Sequence, residues 1–144
     1  MTDRITWMKK RLENLYARNP YLGLLQIKID DISEGEARLA MTIVPEKHNN
    51  IFGIAHGGAL ASLADTAMGV VCATLGRRVV TLEMNINYIA SAVAGQTVYG
   101  IAQAIHNGQT TIVVEARLED DDGRLLAKTR GTFFVVGQLD FGED

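Results

Sequence analysis

At 144 residues, 47% hydrophobic and 22% charged, the chain has the length of one globular domain and enough apolar side chains for a sizeable core. Its formal charge of −3 is spread along the sequence with no basic patch or stripe, which argues against a nucleic-acid partner. The longest nearly uncharged run, Asn49 to Gly76, is broken by Asp65 and by glycines, too interrupted for a membrane span of about 20 apolar residues, and Met1 to Glu13 lacks the apolar core of a signal peptide.

In chain order, Thr2 to Ala17 reads as a short helix. Thr2 or Asp3 is placed to cap it, Trp7, Met8, Leu12 and Leu15 form its stripe, and Asn19-Pro20 stops it. Leu24 to Ile32 alternates loosely and reads as a strand, Glu34-Gly35 as a tight turn, and Ala37 to Val44 as a second strand closed by Pro45. A loop through His48, Asn49 and Asn50 follows, as far as Ala55. Gly57 to Leu75 carries the one long helical pattern, with Leu60, Leu63, Ala64, Ala67, Met68, Val71 and Leu75 at the 3.6-residue period and Gly76 placed to end it. Its other side holds Ala61, Ser62, Thr66, Gly69 and Cys72, uncharged apart from Asp65. A helix without a solvating face is enclosed on most sides, so this one is expected at the centre of the domain.

After Arg77-Arg78 the period changes to two: Leu82, Met84, Ile86 and Tyr88 alternate with Thr81, Glu83, Asn85 and Asn87. Strands at about Gln96 to His106, Thr110 to Glu119 and Leu125 to Val136 follow, with Asn107-Gly108 as a hairpin signal and Glu119 to Gly123 as an exposed, solvated acidic turn. Helix, two strands, buried helix and four strands make an α+β domain spanning 1–144. Cys72 is the only cysteine; an internal disulfide is impossible, and the cytoplasm is the simplest compartment. It reads as a small core residue, because no histidine is placed to activate it.

The chemistry concentrates between Asn50 and Asp65. Gly57 and Gly58 open the buried helix with backbone N–H groups that lack intrahelical partners and, with the helix dipole, favour negative charge. A carbonyl oxygen placed there would be polarised. A phosphate would suit the same donors, although no P-loop lysine follows. Asp65, about two turns on, shares a side with Gly58, Ala61, Gly69 and Cys72, all small. Burying an unpaired carboxylate costs several kcal/mol, about 3 or more, so Asp65 is either paired as structure or held for work. Desolvation would raise its pKa and donors from Asn50 or Thr81 would lower it.

Asn50, Gly53, His56, Gly57, Gly58 and Asp65 complete a pattern (Asn, two residues, Gly, two residues, His-Gly-Gly, then a helical Asp) that resembles the signature of hot-dog-fold acyl-CoA thioesterases of the PaaI-like, phenylacetate-pathway type. Strand order and length agree, so the likeness covers nearly the whole chain. It implies an antiparallel sheet wrapped around the central helix. It also implies homo-oligomers: dimers joined sheet edge to sheet edge and assembled into homotetramers, with the Asp of one subunit facing the His-Gly-Gly turn of the other. Carried over, Asp65 is the nucleophile or, as favoured here, the general base. The Gly57 N–H polarises the thioester carbonyl, with Gly53 and Gly58 shaping the same turn against the acyl-CoA substrate. Asn50 orients the water or the carboxylate, and Thr81 helps to hold that water.

His56 is expected to orient the turn or touch the thioester rather than to act as base. Glu83 is a secondary candidate, more simply an ion-pair partner. Lys128 and Arg130, on one face of the last strand, are candidates for the coenzyme A phosphates, against the plainer reading of solvated strand charges; Arg77 and Arg78 stand beside them. His48 and His106 lack metal-ligand spacing, and neither metal nor cofactor is expected. A dehydratase or hydratase relative would carry an Asp-x4-His pair, which this chain lacks. A non-catalytic acyl-CoA-binding or regulatory protein of the same fold is the alternative; loss of the acidic residue would mark it, and Asp65 is present.

Overall fold

The computed structural model describes residues 2–139, with side chains from Arg4 onward. Its elements are α1 (Thr2–Tyr16), α2 (Pro20–Leu25), β1 (Lys28–Ser33), β2 (Glu36–Thr42), α3 (Pro45–His48), α4 (Gly57–Thr74), β3 (Arg77–Tyr88), β4 (Thr97–Asn107), β5 (Thr111–Glu119) and β6 (Leu125–Gln138). The strands form one six-stranded antiparallel sheet in the order β1-β2-β4-β5-β6-β3. The capping expected of Thr2 or Asp3 falls on side chains outside those described.

The expected periodicities place the core. Along β2, Ala37, Leu39 and Met41 are buried, and along β5, Ile112, Val114, Ala116 and Leu118 are; the residues between them face outward or lie half-covered. These inner faces meet α4, whose Leu60, Leu63, Ala64, Ala67, Met68 and Val71 are all buried. By length and composition α4 passes for a membrane span, yet most of it is buried inside the protein. Its far end is fixed by Gly76, in the left-handed conformation at φ +75°, and by Thr74, whose Oγ1 accepts from the Gly35 N–H (2.9 Å) in the β1–β2 turn.

Close approach between helix and sheet depends on Gly100. A Cβ there would stand 3.3 Å from Leu63 Cγ and Leu118 Cδ2 and 3.4 Å from Ala67 Cβ. Valine at this position adds methyl groups to a filled space, and overpacking of this kind typically costs about 1–3 kcal/mol. Gly100→Val is therefore expected to lower the urea midpoint with an unchanged m-value.

Four local features depart from the sequence reading. Leu24 to Ile32 is not one strand: α2 occupies Pro20–Leu25, Gln26 turns the chain in the left-handed region at φ 59°, and β1 starts only at Lys28. The Asn19-Pro20 pair stops α1 and starts α2, since Asn19 Oδ1 accepts from the Tyr21 N–H (3.1 Å) and proline fits the first helical position. Pro45 opens the short α3 in the same way, where a loop was expected. In the acidic turn, Asp120 is buried rather than solvated, its Oδ1 accepting from the N–H groups of Asp122 and Arg124 (2.9 Å each).

The fourth feature matters most. Strict alternation would put Thr81 beside Glu83 on the polar outer face of β3. Instead β3 carries a bulge: Thr81 pairs with Phe133 and Glu83 with the adjacent Thr132, leaving Leu82 as the extra residue. Thr81 thereby joins Phe133 on the inner, helix-facing side, while Glu83 accepts a cross-strand hydrogen bond from Thr132 Oγ1 (3.0 Å).

Candidate active site

Asp65 sits half-buried on α4, in the open stripe left by Gly58, Ala61, Ser62 and Gly69. Thr81 Oγ1 donates to its Oδ1 at 2.9 Å. Both line a cleft of about 320 Å³ whose walls include Tyr16 and Leu22 from the first two helices, Gly69 and Ala73 of α4, and Phe133 of β6. The one side-chain hydrogen bond to Asp65 among the described residues is that from Thr81. Cys72, on the same helix, is fully buried, and burial pushes its thiol up to about 12, so it stays protonated.

The His-Gly-Gly turn is a second construction. His56 is the N-cap of α4: its Nδ1 accepts from the Gly58 N–H (2.7 Å), and its own N–H donates to the His48 carbonyl (2.6 Å). The Gly57 N–H has no acceptor among the described residues and is thus the free donor at the helix N-terminus. Tyr88, at the end of β3, donates its O–H to the Gly57 carbonyl (2.6 Å), and a Cβ on Gly57 would stand 3.2 Å from the Tyr88 ring. The Gly57–Gly58 peptide is therefore gripped at both ends, by Tyr88 at its oxygen and by His56 at its nitrogen. A planar unit held at both ends has little freedom to turn.

Within the chain, Asn50 braces the turn. Its Oδ1 accepts from the N–H groups of Phe52 (2.8 Å) and Ile54 (3.3 Å), and Gly53 completes the reversal at φ +79°. Ile51 and Phe52 are left at the tip, 92% and 80% exposed. Asn50, Ile51, Phe52, His56 and Gly57 line a separate open cleft. His48, buried behind it, is structural: its Nδ1 accepts from the Val44 N–H (2.9 Å) and its Nε2 meets the Leu25 carbonyl (2.7 Å).

The structure thus joins Asp65 to Thr81, and groups Asn50, Gly53, His56, Gly57 and Gly58, but it keeps the two groups in different clefts. Gly57 and Asp65 are eight residues apart, about 12 Å along the helix axis. Lys128 and Arg130 project from the outer face of β6 and line neither cleft; Lys128 borders an outer groove with Arg38 and Glu115. Arg77 lines the Asp65 cleft, but its guanidinium is engaged by Asn107 Oδ1 (2.9 Å) and the Gln109 carbonyl (2.8 Å). Tyr16 and Tyr88 escaped the sequence reading. By alternation alone Tyr88 reads as an apolar strand position; the signal for its part in the turn is a phenol at the end of a strand beside a glycine turn.

A six-stranded antiparallel sheet covering one long helix, with a carboxylate on that helix and a glycine turn at its start, defines a hot-dog thioesterase. Residues 52–127 match the model of the thioesterase superfamily. The acyl-coenzyme A thioesterase PaaI of Escherichia coli is 30% identical over 129 residues, covering 90% of this chain and 91% of that one. The solved structure of the E. coli PaaI protein from the phenylacetic acid degradation operon superposes with a TM-score of 0.87 at 27% identity, over 94% of this chain and 97% of that one. A hypothetical thioesterase of Streptococcus pneumoniae, solved with coenzyme A, gives 0.76 at 31% identity, over 79% and 91%. The chain belongs to the thioesterase superfamily, and within it to the PaaI-like hot-dog proteins. It is a thioester hydrolase.

Proposed function

We propose that this protein hydrolyses acyl-coenzyme A thioesters as a cytoplasmic homo-oligomer, a dimer of shared sites assembled further into a tetramer. The observation that carries the reading is the division of the site. Asp65, held by Thr81, and the unpartnered Gly57 N–H lie in separate clefts of one chain, and a thioester carbonyl must lie near both. A second copy resolves this by bringing its turn to the first copy's Asp65. The edge for such pairing is β3, which has β6 as its one neighbour in the sheet and exposes Val80 and Leu82. Ile51 and Phe52 then find cover at the interface. Relatives that act on or bind coenzyme A compounds support the substrate class.

In this reading Asp65 takes a proton from water, and the resulting hydroxide attacks the thioester carbonyl. The oxyanion forms against the Gly57 N–H and the positive end of α4. Collapse expels the thiolate of coenzyme A, which accepts the proton, and the free acid remains. Thr81 fixes the carboxylate. His56, Gly58, Asn50 and Gly53 fix the turn that carries the donor. Lys128 and Arg130 are our candidates for the coenzyme A phosphates, reached from the outer face in the assembled oligomer.

The test is thiol release from aromatic, short, medium and long acyl-coenzyme A esters by the parent protein. Turnover of one or more establishes the activity; binding without turnover of any would establish the acyl-CoA-binding alternative. Tyr88→Phe is a second check, on the turn. Loss of the O–H frees the Gly57 carbonyl and so loosens the residue whose N–H is the proposed donor; kcat is expected to fall about 5- to 10-fold with KM changed less than about twofold, since the donor matters more in the transition state than in the ground state. An equal loss on KM alone would remove Tyr88 from this role.

A further inference from the structure

The Asp65 cleft has a neighbour. A second cavity of about 280 Å³ lies between α1 and β1, floored by Ile27, Ile29 and Leu39. Tyr16 and Leu22 line both spaces and so stand between them. Tyr16 is the last residue of α1, and its backbone is set by the following turn, where its carbonyl accepts from the Asn19 N–H (3.0 Å). Its phenol makes no hydrogen bond among the described residues, so the ring is placed by packing rather than by a polar tether. Burial first, then Cys72 and the Asp65 charge, push that phenol up to about 12, so the wall between the spaces is uncharged.

Size gives the wall its meaning. A cavity of about 150 Å³ takes a benzene ring, so the Asp65 cleft, which Asn19, Arg77 and Arg78 also line, has room along Tyr16, Leu22, Ala73 and Phe133 for an acyl group of roughly twelve carbons or fewer, in one or two rings or as a medium-length chain. Joined to the space behind Tyr16 it would hold roughly twice that. Glu13 and Lys28 also line the second space, but Ala17, Leu22, Ile27, Ile29 and Leu39 give it an aliphatic wall that would suit the tail of a long fatty acyl group.

Resting on the proposed acyl-coenzyme A hydrolysis, we infer that Tyr16 is a specificity-determining partition, which confines this enzyme to short, medium or compact ring-bearing acyl groups and excludes long fatty acyl chains. The acyl group enters beside Asp65, runs along Gly69 and Ala73, and ends at the Tyr16 ring. Removing the ring opens the way into the cavity under α1. The hydroxyl contributes nothing to the partition, so the ring alone must be kept.

The experiment is a chain-length profile, from 4 to 18 carbons on coenzyme A, for the parent, Tyr16→Phe, Tyr16→Ala and Tyr16→Leu; the leucine variant keeps apolar packing should alanine fail to fold. The parent and Tyr16→Phe are expected to share a cut-off near 12 carbons. The alanine or leucine variant is expected to gain at least about 10-fold in kcat/KM at 16 carbons and to change less than about threefold below 8. Each further buried methylene is worth roughly fourfold in binding, so a few newly accommodated methylenes suffice for this gain. A parent profile that already peaks at 14–18 carbons, or a cut-off unmoved by both small variants, overturns the inference. Binding of the same esters to these proteins in an Asp65→Asn background reads the cut-off without turnover. Failure of the hydrolase reading, which would leave the parent inactive on every ester, is thereby kept distinct from failure of the partition.

Discussion

Asp65→Asn is expected to lower the hydrolysis of the best coenzyme A ester at least about 100-fold, a loss of about 2.7 kcal/mol of transition-state stabilisation, while the folded protein survives. Asparagine is close to isosteric and keeps an oxygen to accept the Thr81 hydroxyl, which now bonds Asp65 Oδ1 at 2.9 Å. The position is half-buried with no ion-pair partner among the described residues, so removing the charge leaves no opposite charge stranded. What asparagine lacks is the basic oxygen proposed to take the proton from water. Steady-state thiol release and a thermal melt on the same preparation separate the two effects. Activity that survives in a folded variant would remove Asp65 from the role of base and send the search to His56 and Glu83.

The second large effect concerns the shared site. Gly57→Pro removes one hydrogen atom of interest, the proposed carbonyl donor, and little else. Proline suits the first position of a helix, and His56 before it already holds φ −64° and ψ 137°, the extended conformation that a following proline demands. The Tyr88 ring, 3.2 Å from the site of a Cβ, must give by a few tenths of an ångström. Loss of an oxyanion donor costs about 100- to 1000-fold in kcat, so this variant alone should be nearly inactive. Mixed with Asp65→Asn under conditions where subunits exchange, it should recover about a quarter of parental activity. Half of the pairs are then hybrids, and each hybrid holds one intact site, with Asp65 from one chain and Gly57 from the other. A site contained within one chain predicts no recovery whatever the mixing.

Much of the architecture was legible because it rests on local periodicity. The apolar stripe of α4 and the alternation in β2, β4 and β5 are direct imprints of helix and strand geometry, and Gly35 and Gly76 mark reversals that need positive φ. The short helices α2 and α3 were not, because four to six residues carry too little period to read, and Asn19-Pro20 serves as stop and start at once. Within the site, the spacing from Asn50 to Asp65 was visible as a motif, but its wiring was not. Asn50 spends its side-chain oxygen on Phe52 and Ile54, and His56 spends Nδ1 on Gly58. Such bonds depend on how a loop closes, which no spacing states. Tyr16 and Tyr88 act from positions 49 residues before and 23 residues after Asp65 in the sequence, brought near only by tertiary packing.

The bulge at Leu82 has a consequence for how such enzymes gain or lose their chemistry. Thr81, which holds Asp65, and Tyr88, which holds Gly57, lie seven positions apart on one strand, an odd number that in a regular strand sends two side chains to opposite faces. The extra residue between them restores the parity, so both reach the helix. Losing a single codon there would turn Thr81 outward and leave Asp65 unheld with every residue of the proposed site still encoded. A descendant of this chain could thus pass from hydrolysing its ligand to merely carrying it through one deletion in an edge strand, and an insertion at the same place would be the way back.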